Sequence, residues 1–196
     1  MVKIVVGRDD DKRELHVHEA LLTARSKFFA SAMRKGWKEA EEKIVKLPDD
    51  EHDVFELYAS LVYTGTVPAF DEQLERVIPG YAEETICNHP QVCGSKYESL
   101  VKLYVLAEKL QDTQAKNATV DALITKVQHE SQVVNTDEGP CMPSISSIRT
   151  MYEATSHHCP GRQVLIDCFV WYGQCTRWTK LSGWQRTELN YRKCSS

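Results

Sequence analysis

Apolar and polar positions alternate at the start of the chain and then fall into helical spacing. Val2 to Val6 is a β-rich run closed by Gly7, and Asp9-Asp10-Asp11 forms a polar turn. From Arg13 to His18 the pattern alternates, with Leu15 and Val17 on one face and His16 and His18 on the other. Two short alternating runs around a Gly/Asp turn predict a hairpin. Glu19 to Arg25 reads as a short helix with an apolar stripe of Ala20, Leu21 and Ala24. Ser26 is placed to cap the next helix, because its hydroxyl can accept a free backbone N–H, and Phe28, Phe29, Ala32 and Met33 follow at helical spacing. Ala20, Leu21, Ala24 and Phe28 are the expected core of this unit.

Gly36 is expected to end that helix. Ile44, Val45 and Leu47 predict a third strand, stopped by Pro48. Asp50 is the expected N-cap of the following helix, with Asp53 three positions on. Val54, Phe55, Leu57, Tyr58, Leu61 and Val62 supply its apolar face, and Gly65 its stop.

Residues 66–96 break the periodicity with Pro68, Pro79, Gly80, Pro90 and Gly94; a short helix is expected near 71–78. A loop of this length inside a compact domain points to a functional insertion. Helical spacing returns at Leu100, Leu103, Tyr104, Ala107 and Leu110, and again at Ala115, Ala118, Ala122, Leu123 and Val127. After a second break at 131–144, Ile145, Ile148, Met151 and Tyr152 mark a short amphipathic helix. Pro160 opens another helix, which carries Val164, Leu165, Cys168, Phe169 and Tyr172.

The residues from Leu15 to Gly65 resemble the BTB/POZ domain, an interaction module. The resemblance rests on Val17-His18, Leu21-Leu22, Ala24-Arg25-Ser26, Phe28-Phe29, Leu47-Pro48-Asp49-Asp50 and Tyr63-Thr64-Gly65. Tyr104 to Leu110 looks like the family's later helix, and the whole combination resembles small BTB proteins of filamentous fungi. The resemblance implies an α+β fold, a small sheet flanked by helical hairpins. It places a BTB-like domain at residues 1–130, with the irregular insertion inside it, and a helical extension at 131–196. It also implies self-association through the N-terminal elements, binding to a cullin scaffold, or both. Trp37-Lys38-Glu39 matches the family's cullin-contact pattern of a hydrophobic residue, any residue, then Glu. Trp37 stands at an exposed turn in that reading; the alternative is that it folds back onto Met33.

At 196 residues, 42% hydrophobic and 27% charged, the chain can build a core. A net charge of -4 gives no overall nucleic-acid footprint. No apolar run approaches the ~20 residues of a membrane span, and no leader is visible. The seven cysteines are odd in number and irregularly spaced, so reduced thiols in a cytoplasmic or nuclear protein are expected.

Chemistry-bearing residues each have a plainer reading. His18 has no recognisable catalytic partner and reads as a buried structural histidine. Ser26 lacks the strained turn that exposes a nucleophile. Cys87, His89 and Cys93, and likewise His157, His158 and Cys159, would supply zinc ligands in a small zinc-binding protein. Their spacings are tighter than the usual pairs, and chance clustering is the better reading. The tail mixes Trp178, Trp184 and Tyr191 with Arg177, Lys180, Arg186, Arg192 and Lys193. That mixture suits a nucleic-acid-associated regulator, but packing outweighs it. The sequence therefore predicts a non-enzymatic interaction protein with no catalytic residue, cofactor or metal.

Overall fold

The computed structural model describes residues 1–67, 93–133 and 143–172. The helix expected near 71–78, the pair Cys87 and His89, and the tail from Gly173 lie outside the described residues.

Strands β1 (Val2–Val6), β2 (Arg13–Val17) and β3 (Ile44–Leu47) form one sheet in the order β2-β1-β3. β1 pairs antiparallel with β2, Val2 opposite Val17 and Val6 opposite Arg13. Gly7 closes this hairpin at φ +86°, and a Cβ there would sit 2.7 Å from the Asp11 carbonyl oxygen. Glycine is required on both counts. β3 runs parallel to β1, with Ile4 opposite Val45 and Val6 opposite Leu47. A parallel partner needs a crossover, and α1 (Glu19–Arg25), α2 (Lys27–Ala32) and α3 (Lys38–Glu42) provide it. Val2, Ile4, Val5 and Val6 of the central strand are all buried, as in a strand covered on both faces. The edge strand β2 exposes Arg13, Glu14 and His16, which discourages further strand pairing.

Helix α4 (His52–Thr64) buries Val54, Phe55, Leu57, Tyr58, Leu61 and Val62. Gly65 ends it in the left-handed region at φ +76°. Its start differs from expectation. Glu51, not Asp50, is the N-cap, and no side chain caps it. Lys109 Nζ lies 2.6 Å from the Asp50 carboxylate and takes it away from the helix start. Asp53 instead sits 2.7 Å from His52 Nε2. Gly36 does not end α2 either. That helix stops at Ala32, where the Met33 N–H donates to Phe29 O at 3.0 Å. Gly36, at φ +93°, forms the turn into α3, a helix absent from the sequence reading.

Helix α5 (Cys93–Lys109) is the spine of the molecule. Its Leu103, Leu106 and Ala107 pack with the sheet, Leu22, Phe29 and the α4 face. Its Tyr97, Leu100, Val101 and Tyr104 belong to a second cluster. There they meet Val120, Leu123 and Val127 of α6 (Thr113–Val133), Met151 of α7 (Ile145–Ala154) and Val164 and Leu165 of α8 (Pro160–Asp167). Ser144 caps α7 by accepting the Ser147 N–H at 3.1 Å. Pro160 occupies the first turn of α8.

Buried Arg162 ties α7 to α8. It donates to Tyr152 O at 2.6 Å and Thr155 Oγ1 at 3.0 Å, and also to Thr155 O. Its guanidinium stacks 4.6 Å from the Tyr152 ring centroid. These bonds satisfy the carbonyls that a helix end leaves free. The expected apolar face of α7 is thinner than its spacing implied: Met151 is buried, but Ile145 and Tyr152 are exposed. After α8 the chain enters a π-helical turn at Cys168–Tyr172, which buries Cys168 and exposes Phe169.

Gly161 lets α8 approach α5 closely. A Cβ there would lie 2.9 Å from both the Met151 Cε and the ring of buried Tyr104. Gly161→Ala is expected to destabilise the chain by about 1–3 kcal/mol through overpacking. Urea denaturation checks this; an unchanged or higher midpoint would contradict the close packing.

Candidate protein-interaction surfaces

Helix α1 is rotated relative to the sequence expectation. Leu22 is its buried residue, whereas Ala20, Leu21 and Ala24 face outward, Leu21 with 37% of its surface exposed. The inward face runs through Leu22, Ser26 and Phe29, with Arg25 beside it. Phe28, expected in the core, is half-buried and meets Phe29 edge-to-face. Arg25 and Ser26 can turn inward because buried partners await them.

Those partners converge on Asp112, which is fully buried. Arg25 Nε donates to Asp112 Oδ2 at 3.2 Å, and the Tyr58 hydroxyl donates to the same oxygen at 3.0 Å. Asp112 Oδ1 accepts the Ala115 N–H at 2.8 Å, capping α6. Arg25 Nη1 also donates to Leu61 O at 3.2 Å. Alongside, Ser26 Oγ donates to Leu110 O at 2.5 Å and accepts the Phe29 N–H at 3.1 Å. Ser26 thus caps α2 and stitches it to the α5–α6 connection. A buried charge is tolerable only when paired and hydrogen-bonded, and every contact named here meets that condition. Burial, and after it the Asp112 carboxylate, push the Tyr58 hydroxyl far above its ordinary pKa.

His18 departs from its expected burial. It is exposed at the N-cap of α1. The Tyr63 hydroxyl accepts its backbone N–H at 3.1 Å and lies 2.7 Å from its Nδ1. Tyr63 is itself exposed on the last turn of α4. The pair fixes the α1 start from outside, so the ring needs no buried partner. Val17 is buried on the strand just before it.

Trp37 does not fold back to cover the core. It is 57% exposed at the N-cap of α3. Its backbone N–H donates to Arg34 O at 3.2 Å, and Gly36 turns the chain just before it. Glu39 is half-buried in the first turn of α3.

Among the described residues, other chemistry is sparse. Ser26 is committed to its capping bonds. Cys159 Sγ donates to Thr155 Oγ1 at 3.4 Å, and His157 Nδ1 lies 3.4 Å from Arg162 Nη1. Among the described residues, no group of three or more His, Cys, Asp or Glu could hold a metal ion. Cys168 is buried, and burial pushes its thiol up to about 12, away from reactive thiolate character. No helix of the described residues is long and apolar enough to cross a membrane.

With the small mixed sheet, its helical crossover and the exposed surfaces in view, comparison with known proteins identifies the class. Residues 2–81 match the family model of the BTB/POZ domain. The "Kelch repeat and BTB domain-containing protein 4" of Homo sapiens is 35% identical over 65 residues, 33% of this chain and 12% of that protein. The protein of the same name from Pongo abelii is likewise 35% identical, and that from Mus musculus 34%, over equal shares. The match thus spans about an eighth of those relatives' length. The chain carries a BTB/POZ domain, a protein–protein interaction module of α+β fold and not an enzyme family. Helices α5 to α8 lie beyond the matched residues.

The node that Arg25, Tyr58 and the Ala115 N–H form around Asp112 has a pH signature. Tyr58 keeps its proton in the folded chain above its ordinary pKa of 10.0. Below that value both states are protonated and its contribution is complete. Above it the unfolded chain loses the proton first, so stability falls, with a limiting slope of about 1.4 kcal/mol per pH unit. Cys168 acts in the same direction from its ordinary 9.0 upward. The urea midpoint is expected to drop between about pH 9 and 11, and less steeply in Tyr58→Phe. Equal slopes in both proteins would contradict the buried Tyr58 placement.

Proposed function

We propose that this chain is a non-enzymatic scaffold that self-associates through α1 and the N-terminal strands. The observation that carries this reading is the outward stripe of Ala20, Leu21 and Ala24. Small and apolar side chains on an exposed helix face allow close approach of an identical helix, and a two-fold pairing buries the same patch twice. Obligate interfaces bury ~2,000 Å² or more, which exceeds one short helix. An obligate dimer would therefore also draw on the N-terminal strands for area. Residues 1–130 supply the module in this reading, and 131–196 extend it.

Sedimentation at micromolar concentration tests it. The expected mass is twice 22.4 kDa. Leu21→Asp with Ala24→Asp should give a monomer, and both side chains are exposed, so the monomer should stay folded. A wild-type monomer would overturn obligate self-association.

A second reading adds a cullin-type scaffold as partner, received at Trp37 and Glu39. The exposed Trp37 favours it. Trp37→Ala with Glu39→Ala is expected to weaken binding to a cullin N-terminal helical domain by roughly 30-fold, the equivalent of a ~2 kcal/mol anchor. Calorimetric titration decides the point. Unchanged affinity in a folded double variant, or no binding by the wild type, removes the adaptor role and leaves the scaffold.

A further inference from the structure

We draw no further inference here: the strongest candidate, the apolar groove that Ile148, Tyr152, Leu165, Ile166, Phe169 and Val170 line between α7 and the end of α8, carries nothing because nothing in the structure shows what covers it.

Discussion

The buried carboxylate of Asp112 is the constraint on which the arrangement of the helices depends. It receives Arg25 from α1 and Tyr58 from α4, and it caps α6 through the Ala115 N–H. Three helices far apart in sequence are thereby fixed against one residue. An unpaired carboxylate at this depth would be strongly unfavourable. The node therefore tolerates few alternative rotations of α1. Hydrophobic burial supplies most of the driving force for folding, whereas the node selects which face of α1 is buried.

That selection links the core to the proposed partner surface. With Leu22, Arg25 and Ser26 turned toward α4 and the α5–α6 connection, Ala20, Leu21 and Ala24 are left on the outside. The Tyr63 hydroxyl holds the start of the same helix from its exposed end. An interaction module needs an apolar surface that stays ordered without a partner, since ordering on binding lowers affinity. The bonds at both ends of α1 meet that need.

Strands β1 to β3 were legible as short β-rich or alternating runs bounded by turn residues, and helices α4 and α5 as long, regular apolar periods. The inward face of α1 was not, because Arg25 and Ser26 break the apolar count. Their partners Asp112 and Leu110 lie 87 and 84 positions away, and a local pattern holds no trace of them. His18 misled for a similar reason: its partner Tyr63 is 45 positions on and exposed. Helix α3 was invisible because it has five residues and buries none, so no period marks it. Asp50 had the right residue type for a cap, but Lys109 on α5 competes for its carboxylate. The exposed Trp37 was half legible: Gly36 marks a turn, while the side chain's direction depends on how α2 ends.

A double-mutant cycle on Arg25 and Asp112, followed by urea denaturation of the full chain, tests the central claim most directly. Asp112→Ala alone is expected to cost about 3–5 kcal/mol, because it leaves Arg25 without its counter-charge and α6 without its cap. Coupling between the two substitutions should exceed ~1 kcal/mol. Losses that add to within about 0.5 kcal/mol would mean that the two side chains do not act together, and would contradict the node as the element that orients α1.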